Sequence, residues 1–281
     1  MRNDDLKREL GLDEEECERC GIAIPPQLIE LLKESTLRAV IWGFVGTLFG
    51  VLFAFFYAIA LPWGGGGLAY LLAGTLSSGV AALIYGSMRL TVILSFFVSA
   101  YGVFYLIWKG EAVEPLQLFG YALLVGIVVG AGYGLFSRHS RVGRADAKSM
   151  TGLVAGAVVS LLVVGLFHWM AWRLTPTIMV AILCPVVGLF YTRLVLRFIG
   201  WFEKLLPPPA DGALVGMAVS LFVTVGLWLI AASLDPPLAG EYQALVVQMT
   251  AMLPTVASAG LISGMVGGFI SGWLWQHWLD M

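Results

Sequence analysis

The sequence predicts an all-α, polytopic transmembrane bundle of about eight spans, built from repeated two-helix hairpins. Three observations carry this expectation. Of the 281 residues, 59% are hydrophobic and only 12% are charged, against roughly 25% charge in an ordinary soluble domain. Mean hydropathy is +0.88, and apolar runs of membrane-crossing length recur along the chain. The basic residues cluster on alternate connections between those runs. A soluble core able to hide this much apolar surface is beyond a chain of 281 residues.

Residues 1–35 read as a polar, acidic tail. Ten of the 18 acidic residues precede Ala39, among them the run Asp13-Glu14-Glu15-Glu16. The tail lacks the apolar core of a cleavable leader. After Pro25-Pro26, the segment Gln27–Glu34 reads as a short amphipathic helix lying on the membrane surface, with Leu28, Ile29, Leu31 and Leu32 on its apolar side. The membrane bundle then divides into a first half at 36–148 and a second half at 149–281. Its spans fall at about 39–62, 68–88, 90–108, 117–137, 149–172, 176–200, 212–234 and 252–275, each long enough to cross roughly 30 Å of hydrocarbon. Four successive glycines, Gly64–Gly67, separate the first two spans, and Ser87-Met88-Arg89 is the narrow break between the second and third. Pro185 predicts a kink in the sixth. The connections are too short to hold a soluble domain.

Charge sets the orientation. With the N-terminus inside, fourteen of the 16 Lys and Arg residues lie on the inner side, and only Lys109 and Arg173 lie outside. This is the bias expected of a multi-pass protein of the inner (plasma) membrane with both termini cytoplasmic. Seven or nine spans would place alternate loops on the wrong side.

Small residues set the packing. Gly260, Gly264, Gly268 and Gly272 recur every fourth residue on one face of the last span. In lipid such a face lets a second backbone come close. Similar ridges occur as Gly74, Ser78, Ala82 and Gly86 and as Gly126, Gly130 and Gly134. Gly152 with Gly156 and Gly212 with Gly216 match one another at an offset of sixty. The odd spans share a small residue, three apolar residues and a hydroxyl: Gly43 to Thr47, Ser95 to Ser99, Gly156 to Ser160 and Gly216 to Ser220. Duplication of a two-helix unit explains these matches; so does the general richness of membrane helices in Gly, Ala and Ser. The ridge on the last span is expected to pack on 212–234, the other half of its hairpin.

Candidates for chemistry are few. No Asp or Glu lies inside the eight apolar cores, which argues against a carboxylate-driven pump. Cys17 and Cys20 form a CxxC, half of a tetrahedral metal site. No second pair or nearby histidine completes it, so two reduced thiols are the plainer reading. His168, beside Trp169 and Trp172, fits an interfacial aromatic belt better than a ligand role. Arg193 and Arg197, one turn apart, and the basic loop residues Arg138, Arg141 and Arg144 suit lipid headgroups or another anion. No HExxH, GxSxG or phosphate-binding glycine loop is present. The sequence therefore assigns no cofactor, no nucleic-acid partner and no enzyme activity.

Two functions fit. The first is a non-catalytic subunit or scaffold of a membrane assembly, with the bilayer and a homo- or hetero-oligomeric partner on its small-residue faces. The alternative is a channel or facilitator for a small neutral or weakly polar solute, lined by Thr47, Ser99, Ser160 and Ser220. Convergence of those four hydroxyls on one cavity would favour the facilitator; their burial between tightly packed helices would favour the scaffold.

Overall fold

A computed structural model describes residues 26–85, 89–109, 114–136, 145–201 and 207–279. Among these residues there is no strand. The elements are α1 (Pro26–Tyr85), α2 (Arg89–Lys109), α3 (Pro115–Phe136), α4 (Ala145–Trp169), α5 (Pro176–Trp201), α6 (Pro208–Leu234), a 3₁₀ turn at Pro236–Tyr242, and α7 (Gln243–Leu279). Five stretches are long and apolar enough to cross a membrane: Leu32–Tyr85, Pro115–Phe136, Ala147–Trp169, Pro208–Leu234 and Pro236–Leu274. Shorter apolar stretches, Thr91–Leu106 and Pro176–Tyr191, lie in α2 and α5.

The helix α1 is broken at Gly64 and Gly65, where Gly65 has φ of 72°, a conformation open to glycine at little cost. Its two arms, 26–63 and 66–85, fold against each other. The rings of Tyr57 and Tyr70 are 4.8 Å apart, whereas a straight helix would separate these positions by about 20 Å. The Tyr70 hydroxyl donates to the Leu174 carbonyl at 2.9 Å, tying the second arm to the connection between α4 and α5.

Two boundaries differ from the sequence reading. The segment 27–34 is not a separate surface helix but the continuous start of α1. The connection expected over 235–251 is instead the 3₁₀ turn and the opening turns of α7. Pro185, where the sequence predicts a kink, lies inside the continuous helix α5. Gly267 of α7 lies against that proline, and a Cβ there would come within 2.8 Å of its ring. The missing side chain leaves room for the pyrrolidine.

Three antiparallel seams of small residues organise the bundle. In the first, α7 lies on arm 26–63. A Cβ on Gly260 would overlap the Gly46 carbonyl, and one on Gly46 the Gly260 carbonyl. Continuing along the seam, a Cβ on Gly264 would overlap the Trp42 carbonyl, one on Gly268 would come within 2.6 Å of the Arg38 carbonyl oxygen, and one on Gly272 within 2.8 Å of Ser35 Cα. In the second, arm 66–85 lies on α4, with Gly74 against Ser160, Ser78 against Gly156, and Ala82 and Ser78 against Gly152. In the third, α3 lies on α6, pairing Gly126 with Gly216, Gly130 with Gly212, and Gly134 with Pro208. The ridge on α7 therefore does not pack on its hairpin mate. The glycine face of α6 is already covered by α3.

Three apolar clusters fill the space between seams. One, around Phe53, Met179, Val180 and Leu183, joins both arms of α1 to α4, α5 and α7. A second, around Val103, Leu118, Trp228 and Met249, gathers α2, α3, α6 and the start of α7 against Ala58 of the first arm. The third, Leu83 with Val215, Val219 and Val223, joins the second arm to α6. The C-terminus of α4 closes by a Schellman arrangement: Trp172 N–H donates to Phe167 and Ala171 N–H to His168. Ala171 occupies the left-handed position, with φ of 52°, where glycine is preferred.

Three substitutions test these features. Gly260→Ala should lower the melting temperature in detergent by the equivalent of about 2 kcal/mol, since overpacking forces the backbones apart. Gly165→Ala, where an added Cβ meets nothing within 4 Å, should be neutral or mildly stabilising. Ala171→Gly should raise stability by about 1 kcal/mol by relieving the left-handed alanine; an unchanged melting curve would contradict that cap geometry.

Candidate functional site: a cavity between α2, α3 and α6

Helix α2 is polar inside and apolar outside. Thr91, Ser95 and Ser99, spaced four apart, are 0%, 0% and 5% exposed. On the opposite side Phe97, Tyr101 and Phe104 are 61% exposed or more. A helix on the surface of a soluble protein shows the reverse pattern; here the outward face suits hydrocarbon. The hydroxyl stripe faces α6, where Ser99 donates to Ser220 Oγ at 2.7 Å.

Beyond that bond, toward the connection between α2 and α3, the helices separate around a cavity of about 650 Å³. Its walls come from 98–106 of α2 and 117–125 of α3, and Thr224 of α6 supplies the floor. The separation has a local cause. Gly126 and Gly130 hold α3 tightly on α6, but the next inward positions of α3 are Ala122 and Leu118, which are larger. On α2, Gly102 offers no side chain to fill the gap, and a Cβ there would meet nothing within 4 Å. Val98, Tyr105 and Tyr121 stand exposed at the rim.

Thr224 is fully buried, and its Oγ1 has no hydrogen-bond partner among the protein atoms. Threonines in apolar helices commonly donate to their own i−4 carbonyl. Thr47, Thr75 and Thr250 do so here, to Gly43, Leu71 and Val246. Thr224 is instead unpaired and lies behind the cavity wall, its Oγ1 closed off from the cavity space. The register set by Gly126 on Gly216 and Gly130 on Gly212 brings Thr224 level with Leu118, in the opening turn of α3. The amide of Gln117 stands beside that level and is exposed. One turn further along α6, the Trp228 indole donates to the Leu238 carbonyl at 3.4 Å. Its ring meets Phe119 edge-on at 5.6 Å and Tyr242 at 6.3 Å, which fixes this end of α6.

Of the four hydroxyls singled out in the sequence, Ser99 and Ser220 meet, and Ser99 also lines the cavity. Thr47 is turned onto its own helix. Ser160 is buried against Gly74 in the arm 66–85 seam, its hydroxyl unpartnered. The four therefore do not converge, and Ser160 and Ser220 are buried between packed helices, so by the criterion drawn from the sequence these hydroxyls count toward the scaffold and lend the facilitator no support. The eleven glycines named for packing, from Gly126 to Gly272, all lie on the three seams. Arg193 and Arg197 fall on the last turns of α5. Cys17, Cys20, Arg138, Arg141 and Arg144 lie outside the described residues. Asp211, left outside the span 212–234, is inside α6 and 6% exposed; a carboxylate in a helix's first turn is favoured by the helix dipole.

Sequence reasoning missed Thr224, Gln117 and Gly102. A signal existed for the first: Ser220 and Thr224 share one face of α6, as Ser95 and Ser99 share one face of α2. The pattern of a small residue followed by a hydroxyl picks out Ser95 with Ser99 but stops at Ser220 on α6. Among the described residues no three His, Cys, Asp or Glu side chains stand together as a metal site would need. What the cavity offers is hydroxyls and an amide in an apolar wall, a lining suited to an uncharged guest with hydrogen-bonding capacity. The chain matches no family of known proteins, and neither the curated proteins nor the solved structures contain a match to it.

A double-mutant cycle on Ser99→Ala and Ser220→Ala should give a coupling of about 0.6 kcal/mol, the size typical of hydrogen bonds between membrane helices. Additive losses in the melting curves would mean that the two hydroxyls act independently.

Proposed function

We propose that the chain crosses the membrane eight times and acts as a facilitator for a small, weakly polar solute held between α2, α3 and α6. Five long apolar stretches support the count, with the fold-back of α1 making two crossings of one and the shorter stretches of α2 and α5 adding two more. Both termini then face the cytoplasm, on the side carrying fourteen of the 16 basic residues. The observation that carries the facilitator reading is the cavity of about 650 Å³ between α2, α3 and α6, with the exposed Gln117 amide in its lining and Tyr105 and Tyr121 exposed at its rim. The role is non-catalytic on this reading, since hydroxyls and an amide need a base before they attack anything.

A second reading, a non-catalytic subunit of a larger membrane assembly, is favoured by the aromatic outer face of α2, where Phe97, Tyr101 and Phe104 are exposed. The small-residue ridges do not add to it, because each faces another helix of the same chain. A purified protein that runs as a single chain in mild detergent would count against this second reading.

Vesicle swelling tests the first. Proteoliposomes in a gradient of propane-1,2-diol should swell faster than protein-free vesicles. Gly102→Leu, which fills the cavity from its open wall, should reduce the protein-dependent rate at least tenfold while leaving the melting temperature in place. Equal swelling with and without protein would overturn the facilitator reading.

A further inference from the structure

Helices α2 and α6 run parallel. Val92 and Ala100 share a cluster with Val215, Val219 and Val223, and further along both chains Val103 shares one with Val225 and Trp228. Each helix carries two hydroxyls one turn apart on the face it turns to the other, Ser95 and Ser99 on α2, Ser220 and Thr224 on α6. Only the middle two meet, Ser99 on Ser220 at 2.7 Å. Ser95 and Thr224 are fully buried and unpaired, two of the four such side-chain oxygens among the described residues. The two orphans flank the bond: Ser95 lies one turn before it on α2, and Thr224 one turn after it on α6.

We infer that α2 has a second seat on α6, one helical turn further toward its connection with α3, and that this shift closes the cavity. Moving α2 by four residues, about 6 Å, carries Ser95 to Ser220 and Ser99 to Thr224. One hydroxyl pair becomes two, and both orphans are satisfied. A shift the other way sets Ser99 beside Gly216 and Val103 beside Ser220 and pairs nothing, so the direction is fixed. Hydroxyl pairing favours the second seat. Apolar packing holds the first, because Val103 sits in the cluster with Leu118, Trp228 and Met249 and would give its level to Ser99. Such a balance makes a two-state element, and one-turn ratchets between packed helices are a known form of it. Helix α2 takes part in none of the three glycine seams, so interlocked backbones do not fix its seat. At the cavity, the shift brings Val98 to the level of Gly102, where a Cβ now meets nothing within 4 Å. Its side chain then takes up the space between α2 and α3. The observed seat is the open one. On the reading that the cavity is the working site, the register of α2 is its gate.

Disulfide trapping in the full chain reads the register directly, since the bond needs Cβ atoms roughly 3.5–4.5 Å apart and a one-turn offset exceeds that. In proteoliposomes oxidised with copper phenanthroline, Ser99→Cys with Ser220→Cys should cross-link the observed seat. Ser95→Cys with Ser220→Cys, and Ser99→Cys with Thr224→Cys, should each cross-link the second. Val103→Cys with Ser220→Cys is offset by the same turn in the opposite direction and should stay reduced. Peptide mass spectrometry assigns each bond and separates it from Cys17, Cys20 and Cys184. Thr224→Val, added to the pair at 95 and 220, removes one hydrogen bond of the second seat and none of the first. It should slow that cross-link about threefold, the effect of one hydrogen bond between membrane helices. Equal cross-linking of 95 with 220 and of 103 with 220 would mean local wobble and overturn the inference. So would second-seat pairs that stay reduced while the pair at 99 and 220 cross-links.

Diol swelling separates the gate from the facilitator. Oxidation of the protein with cysteines at 95 and 220 should cut its own swelling rate at least tenfold, and dithiothreitol should restore it. Swelling that continues with the second seat trapped would overturn the gate and leave the facilitator. A trapped second seat in a protein that gives no swelling in either form leaves the closing shift and removes the facilitator.

Discussion

The architecture depends on backbone meeting backbone in a medium that gives apolar surfaces no reason to associate. Between lipid chains and leucine side chains there is little to choose, so helices hold together by close packing and by the polar contacts that closeness allows. Along the seam between α7 and the first arm of α1, a carbonyl of one helix occupies the place a methyl group would take on the other. At this separation Cα–H groups also reach carbonyl oxygens, adding weak attractions along the seam. Side chains larger than hydrogen at Gly46 or Gly260 would remove all of these at once.

The same constraint creates the cavity. A glycine seam fixes α3 on α6 over Gly126, Gly130 and Gly134, and a hydroxyl pair fixes α2 on α6 at Ser99 and Ser220. Neither device continues toward the loop between α2 and α3. There the residues on α3 are larger, α2 presents Gly102, and the three helices diverge. The site is thus the place where two attachments end, and its lining is inherited from the inward faces of helices that elsewhere pack tightly. That inheritance explains why Thr224 is polar at a position with no protein partner: it continues the stripe begun by Ser220 one turn earlier.

Much of the fold was legible in the sequence, and the reasons are physical. Long apolar runs and the sparse charge mark membrane helices because the length of a helix and the thickness of the bilayer are fixed quantities. The glycine ridges were visible because helical periodicity places every fourth residue on one face. Their partners were not visible. Gly260 looks the same whether it faces 212–234 or the first arm of α1, and the choice was decided by the prior occupation of α6 by α3. The cavity was hidden for a related reason. A hydroxyl bonded to its own helix, as Thr47 is, and a hydroxyl left unpaired, as Thr224 is, share one residue type and one kind of neighbourhood. Only the placement of a third helix separates them.

The seam between α7 and the first arm of α1 joins the helices farthest apart in the described chain. As the polypeptide emerges, that first arm enters the bilayer with its small-residue face bare, and it stays bare until every intervening helix has been made. The other two seams also join helices that are not neighbours in sequence. The order of assembly is therefore opposite to the order of synthesis for the first arm: it arrives before the rest and is closed in last. The seam can therefore close only once α7 is in place, which makes it the contact that holds the two ends of the described chain together.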